Sequence, residues 1–140
     1  MLLRIDHVGI ACHSLEAAVE RYQSVFGLTV VSRETNEQQG VREAMLALPD
    51  GSSYVQLLEP LGPDTPVGRF LARRGEGLHH VGYAVADVAA ALDAIGGRGA
   101  RLVDRRPRHG SMGASIAFLH PADLGGVLTE LVQPRDVRET

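Results

Sequence analysis

Four polar residues in this sequence, His7, Gln56, His80 and Glu130, have side chains that could together bind a metal ion. They offer two imidazole nitrogens, one amide oxygen and one carboxylate oxygen. This donor set suits a borderline-to-hard divalent ion that stays six-coordinate by keeping two exchangeable waters. Because only one of the four ligands is anionic, an ion bound in this way would remain strongly electrophilic.

The four residues occupy equivalent positions of an internal repeat. The segment Ile5–Ala11 reappears as Leu78–Ala84 at an offset of 73 residues, and Val55–Pro60 is similar to Thr129–Pro134 at an offset of 74. Two matches at nearly the same offset indicate a duplicated unit. Each half therefore supplies one histidine near its beginning and one oxygen donor near its end.

The elements that must position these residues also repeat. Each half opens with a strand of β-branched and small apolar residues, followed by apolar residues at helical spacing. Ser14 and Asp87 are the predicted N-caps of the two helices, which end at Gly27 and at the Gly96-Gly97 pair. Three further strands complete each half. The predicted strands are 4–11, 28–34, 41–48 and 53–59 in the first half, and 79–85, 101–105, 114–120 and 126–132 in the second.

We therefore predict an α+β fold of two tandem βαβββ modules, which form a cupped, partly open β-sheet barrel with the helices outside. Thr65 and Pro66 predict the start of a short helix between the modules. The charged residues 135–140 are predicted to be frayed. The predicted boundaries are 1–140 for the single domain, 1–62 for the first module, 63–76 for the linker helix and 77–134 for the second module.

Composition limits the classes of protein that this chain can represent. With 44% hydrophobic and 22% charged residues it is typical of soluble globular proteins, and its net charge of −3 argues against general affinity for nucleic acids or membranes. No apolar stretch approaches the roughly 20 residues of a membrane span, and Met1–Ile5 is too short for a signal-peptide core. The single cysteine, Cys12, cannot form an internal disulfide. We therefore predict a cytoplasmic protein.

These motifs resemble the methylmalonyl-CoA epimerase family of the vicinal oxygen chelate superfamily, and the similarity extends over essentially the whole chain. The resemblance implies the glyoxalase-like fold and a divalent metal ion, Co²⁺ first, with Mn²⁺, Ni²⁺ or Zn²⁺ as alternatives. It implies that His7, Gln56, His80 and Glu130 are the metal ligands. The similarity is densest in Ile5–Ala11, Glu37–Glu43, Gln56–Pro60, Gly77–His80 and Phe118–Pro121.

The resemblance also implies a reaction, the interconversion of (2R)- and (2S)-methylmalonyl-CoA through a metal-stabilised enolate. Epimerisation needs one base on each face of that enolate. The implied bases are Glu43, in the third strand of the first half, and Glu130, which is also a metal ligand. The implied partners are a small-molecule acyl-CoA substrate and a second copy of the chain in a homodimer.

Two other functions are compatible with the same scaffold: a glyoxalase I-type lyase or isomerase acting on thiol hemithioacetals, and a metal-free antibiotic-binding resistance protein. Bacterial glyoxalase I usually has glutamate where this chain has Gln56, which favours the epimerase. An extradiol dioxygenase needs two histidines and one glutamate around iron(II), and Gln56 and the short chain weigh against it.

The chain departs from the family pattern near the substrate. Ser115 and Ala122 stand where family members commonly carry basic residues, which leaves the identity of the acyl group open. Arg106 or Arg108 could substitute for these cations. The phosphates of coenzyme A could be bound by the arginines between Arg98 and Arg108 or by those between Arg69 and Arg74.

Overall fold

The predicted βαβββ order occurs twice in the computed structural model, which describes residues 1–135. The chain divides into a first unit, His7–His79, and a second unit, Met1–Asp6 with His80–Thr140. The module boundaries given above stay predictions, and residues 136–140, predicted to be frayed, lie outside the described residues. The elements are β1 (Arg4–Ala11), α1 (Leu15–Phe26), β2 (Thr29–Asn36), β3 (Val41–Ala47), β4 (Tyr54–Pro60), α2 (Pro66–Arg74), β5 (Gly77–Ala84), α3 (Val88–Gly97), β6 (Arg108–His109), β7 (Ser115–Leu119) and β8 (Thr129–Gln133).

The helices begin and end where the sequence predicts. The side chain of Ser14 accepts a hydrogen bond from the Ala17 N–H at the start of α1, and Asp87 accepts one from the Ala90 N–H at the start of α3. Gly27 ends α1 in the left-handed conformation, with φ of 70°. None of the helices in the described part of the chain is long and apolar enough to cross a bilayer.

In the first unit, the sheet has the strand order β2-β3-β4-β1. Strand β1 pairs with β4 in parallel, whereas the other two pairings are antiparallel. Because side chains alternate along a strand, one face of this sheet packs on α1, and the opposite face carries the alternate residues. The core between the sheet and α1 contains Cys12, Leu15, Ala18, Val19, Ala44, Leu46 and Leu57.

The second unit repeats this plan. Strand β5 pairs with β8 in parallel, and β8, β7 and β6 follow in antiparallel order. One face of this sheet packs on α3, so the other face is again available for the alternate residues of β5 and β8. The core below α3 contains Val85, Val88, Ala91, Leu92, Ala117, Leu119 and Leu131.

One predicted strand was wrong. The segment 101–105 forms no regular strand: Leu102 makes only an isolated bridge with Leu119, and the strand that pairs with β7 on this side is the short β6. The N–H groups of Val103 and Asp104 both donate to the Phe118 carbonyl, at 3.0 and 3.1 Å, which bends the chain away from a regular ladder. The Asp104 carboxylate also accepts from the Phe118 N–H at 2.9 Å, so a side chain takes the place of a backbone partner.

Candidate metal centre

The first unit places His7 and Gln56 on the same face of neighbouring strands. In the β1–β4 ladder, His7 pairs with Tyr54 and Gly9 pairs with Gln56, so the two polar side chains are two residue pairs apart and on the same face. Both side chains lie on the face opposite α1, and both are buried. On β1, the residue directly across from Gln56 is Gly9, which has no side chain.

The second unit places His80 and Glu130 in the same relation. Gly82 pairs with Glu130 in the β5–β8 ladder, and His80 precedes that glycine by two residues. His80 Nε2 lies 3.6 Å from Glu130 Oε2, and both side chains are buried. The Phe118 ring, directly opposite Glu130 on β7, meets the His80 ring edge-on at a centroid distance of 5.4 Å.

The duplication therefore extends to the hydrogen-bond register of the strands. Each unit presents a His-Val-Gly triplet whose glycine faces the oxygen donor on the partner strand. The four polar residues were predicted from the sequence, whereas the pairing of Gly9 and Gly82 with Gln56 and Glu130 was not. The signal was present, because the triplet occurs at His7 and again at His80.

Glu43 is hydrogen-bonded to Gln56, one of the four predicted ligands. The Gln56 Nε2 group donates a hydrogen bond of 2.8 Å to Glu43 Oε2. The contact follows from the β3–β4 register, in which Met45 lies directly opposite Gln56 and Glu43 lies diagonally across from it on the same face. Glu43 is only 3% exposed, so it is not a surface charge.

This hydrogen bond fixes the orientation of the Gln56 amide. A carboxylate oxygen can only accept, so the nitrogen of the amide must face Glu43 and the oxygen must lie on the other side. That oxygen, Oε1, is buried and accepts no hydrogen bond within residues 1–135.

The donor chemistry of these side chains fits a divalent metal ion. His7, His80 and Glu130 are all buried, and each of these side chains offers an atom that can bind a metal ion. A buried carboxylate is costly unless a charge or a metal ion compensates it. Imidazole, carboxylate and amide oxygen are the ligand types of borderline divalent ions.

His79, although adjacent to His80, takes a different role. It points to the other face of β5, where its ring meets the Phe70 ring edge-on at a centroid distance of 5.0 Å. Burial lowers the pKa of His79 from 6.5 to about 4, so this imidazole is neutral at physiological pH. His79 is therefore part of the packing of α2 in the first unit.

Of the arginines between Arg98 and Arg108, the structure brings Arg108 towards His80. Its guanidinium carbon lies 5.6 Å from the centroid of the Phe118 ring, whose edge-on partner is His80. Arg108 Nε donates to Asp104 Oδ2 at 3.2 Å, the same carboxylate oxygen that accepts from the Phe118 N–H. By contrast, Arg101 pairs with exposed Asp123.

Comparison with known proteins identifies the family to which this chain is similar. Residues 6–118 match the family described as the Glyoxalase/Bleomycin resistance protein/Dioxygenase superfamily. The ethylmalonyl-CoA/methylmalonyl-CoA epimerase of Cereibacter sphaeroides is 37% identical over 135 residues, which cover 95% of this chain and 99% of that protein.

Solved structures are similar over nearly the whole chain. A methylmalonyl-CoA epimerase in complex with methylmalonyl-CoA and NH₄⁺ is 52% identical, with a TM-score of 0.93 and coverage of 98% of both chains. The methylmalonyl-CoA epimerase from Mycobacterium tuberculosis is 38% identical, with a TM-score of 0.94 and coverage of 99% of this chain and 92% of that one. These similarities confirm the glyoxalase-like fold predicted from the sequence.

Proposed function

Since the chain belongs to the glyoxalase/bleomycin resistance protein/dioxygenase superfamily, we propose that it is a metal-dependent epimerase of 2-substituted malonyl-CoA thioesters, with methylmalonyl-CoA as its first substrate. The observation that carries this proposal is the repeated register of buried donors. Each unit aligns a histidine and an oxygen ligand across a glycine, and the first unit adds a buried carboxylate beside its ligand.

We propose that His7, Gln56, His80 and Glu130 hold one divalent ion, with Co²⁺ as the first expectation and Mn²⁺, Ni²⁺ or Zn²⁺ as alternatives. When bound, such an ion acts as a Lewis acid that polarises the thioester carbonyl and makes the C2 proton easier to remove. The protein's part is to bury the donors, fix their spacing through the strand register and exclude water from them.

The proton transfers themselves are assigned to two carboxylates. Glu43 and Glu130 are the proposed bases, one for each face of C2: one takes the proton, and the other returns a proton to the opposite face, which inverts the configuration. Each well-placed base contributes about 10² to 10⁴ in rate. Glu43 suits this task because it is buried and held by its hydrogen bond to Gln56.

Ethylmalonyl-CoA is the second substrate to consider, because the relative from Cereibacter sphaeroides is named for both thioesters. The wall opposite Glu130 is apolar, since Phe118 lies directly across from it and Ile116 follows two residues away on the same face of β7. An alkyl group on C2 is the part of the substrate that such a wall accommodates.

The coenzyme A portion requires cations on a protein of net charge −3. We propose that Arg108 contributes to binding this anionic substrate, since Asp104 and Phe118 hold its guanidinium group in place. A homodimer stays a prediction.

The decisive experiment is to incubate the Co²⁺-loaded protein with (2R)-methylmalonyl-CoA in deuterium oxide and to follow deuterium at C2 and the configuration. We expect inversion together with incorporation of solvent deuterium, and neither in metal-free protein. The hemithioacetal of methylglyoxal and glutathione is tested in parallel. Turnover of that adduct without exchange of the malonyl thioester would replace the epimerase with a glyoxalase.

A further inference from the structure

We propose that Glu43 is a positioning residue for the metal site, because its carboxylate orients the amide of Gln56 so that Oε1 is the atom available as ligand. This inference rests on the proposed function, in that Gln56 is taken to bind a metal ion. It assigns Glu43 a role that is separate from removing the C2 proton.

An amide side chain has two ends of nearly equal shape and opposite hydrogen-bonding character. If the amide of Gln56 were rotated by half a turn, Nε2 would occupy the place of Oε1, and an N–H donor cannot bind a cation. Packing alone discriminates poorly between the two orientations, because nitrogen and oxygen differ little in size. A hydrogen-bonding neighbour must therefore make the choice.

Glu43 selects the orientation of the Gln56 amide, because a carboxylate cannot donate a hydrogen bond. With Gln56 Nε2 facing it, the pair forms a hydrogen bond of 2.8 Å between two buried side chains. In the rotated state, two acceptor oxygens would meet at that distance, and the charged carboxylate would lose a buried hydrogen bond. The β3–β4 register imposes the contact, so the orientation is set before any ion arrives.

The same contact explains why residue 56 is a glutamine and not a glutamate. A second carboxylate there would lie about 3 Å from the first, and two like charges at that distance do not both ionise. A neutral ligand at residue 56 avoids this conflict.

The test measures the affinity of the metal-free, full-length protein for Co²⁺ by isothermal titration calorimetry. Glu43→Gln keeps an oxygen that can accept from Gln56 Nε2, but its own N–H can also donate to Oε1, so both orientations of Gln56 become possible. Because a choice between two equal states costs only about twofold, we expect an affinity within about threefold of wild type. Glu43→Leu and Glu43→Met remove the acceptor, and we expect affinities about 10- to 100-fold weaker, as is typical when the partner of a metal ligand is lost. Glu34→Leu is the matched control, because it replaces the carboxylate directly across from Glu43 on β2 and leaves the amide contact intact.

A rescue separates orientation from general damage. In the double variant Glu43→Leu/Gln56→Glu, the new ligand has two equivalent oxygens and needs no orienting partner, so we expect Co²⁺ affinity at least equal to that of wild type. Circular dichroism verifies the fold of each variant. If Glu43→Leu does not fold, Glu43→Met decides the question.

Two results would overturn the positioning role while the proposed function stands: wild-type affinity in the folded Leu or Met variant, or a loss in Glu34→Leu as large as theirs. A double variant that folds and binds as weakly as Glu43→Leu would have the same meaning. A wild-type protein that binds no Co²⁺, Mn²⁺, Ni²⁺ or Zn²⁺ would instead overturn the metal site itself, and the positioning role with it.

Discussion

Glu43 and Ile116 occupy equivalent positions in the two units: each pairs with the residue two positions beyond the oxygen donor, which is Gln56 in one unit and Glu130 in the other. Both are buried, yet one is a hydrogen-bonded carboxylate and the other is aliphatic. The two units therefore differ beside their equivalent oxygen-bearing residues, because the first unit has a buried carboxylate at this position and the second has an apolar wall. That wall contains Ala114, Ile116, Phe118 and Val132.

Because Glu43 and Glu130 are the proposed bases for opposite faces of C2, we expect the replacement of Glu43 to affect the two epimers differently. In Glu43→Gln, Glu130 can still remove a proton from its own face of C2 and return a deuteron there, but inversion needs both bases. We expect epimerisation to fall by about 10² to 10⁴, whereas one of the two epimers still exchanges its C2 proton with retention. Proton NMR of each pure epimer in deuterium oxide measures this. Exchange of both epimers at wild-type rates would remove Glu43 from the reaction.

Metal binding should stabilise the fold, because it compensates the buried Glu130 beside His80. At a free Co²⁺ concentration 100 times its Kd, linkage adds about 2.7 kcal/mol to the free energy of unfolding. Thermal unfolding with and without Co²⁺ tests this, and His80→Leu is the control. An equal stabilisation of His80→Leu would place the ion elsewhere.

Arg108→Leu should weaken substrate binding more than catalysis. Hydrogen bonds to charged groups contribute about 1.5–3 kcal/mol, so we expect KM for methylmalonyl-CoA to rise by about tenfold or more, with kcat changed little. Arg105→Leu, an exposed neighbour in the same run, serves as the control. If both variants raise KM equally, the effect belongs to the general charge of the run and not to Arg108.

The half-buried His79 predicts a loss of stability in mild acid. Because its pKa falls from 6.5 to about 4 on folding, the unfolded chain binds the proton more tightly between these values. Stability is therefore full above about pH 6.5 and decreases as the pH falls towards 4, by about 2–3 kcal/mol from this group. Urea unfolding at pH 7 and pH 5 measures the difference, which should shrink in His79→Leu. The same replacement at exposed His109 should leave it unchanged.

Cys12 should be chemically inert in the native protein. Burial, together with the negative charges of Glu59 and Glu76, raises the pKa of its thiol from 9.0 to about 11, and the side chain is 2% exposed. The thiolate fraction at pH 8 is then about a hundredfold lower than in the unfolded chain, and access is reduced as well. We expect a thiol reagent to label the protein only after denaturant is added. Rapid labelling of the native protein would contradict the buried placement.

Much of the fold could be predicted from the sequence, because its signals are local. The caps at Ser14 and Asp87 and the stop at Gly27 are satisfied within one helical turn, and the structure confirms all three. The repeated His-Val-Gly motif predicted that His7 and His80 lie at equivalent positions of two strands, and the strand registers place them there. The assignment of all four donors to one ion stays a prediction.

Non-local contacts account for what the sequence did not predict. The segment 101–105 has strand-like composition, but the contacts of Asp104 with Phe118, 14 residues away, decide its path. The orientation of the Gln56 amide likewise depends on a residue of the neighbouring strand. Such contacts depend on the register in which neighbouring strands pair, and this register cannot be predicted from residue propensities or from the periodicity of apolar residues.

The two contacts of Asp104 have an evolutionary consequence. One carboxylate oxygen of this residue both holds the backbone of β7 and anchors the Arg108 side chain. Under the proposed role of Arg108, we expect a mutation at Asp104 to affect the backbone of β7 and substrate binding at once. We therefore expect that adaptation to a bulkier acyl group proceeds through neighbours such as Ile116, whose replacement leaves this carboxylate in place.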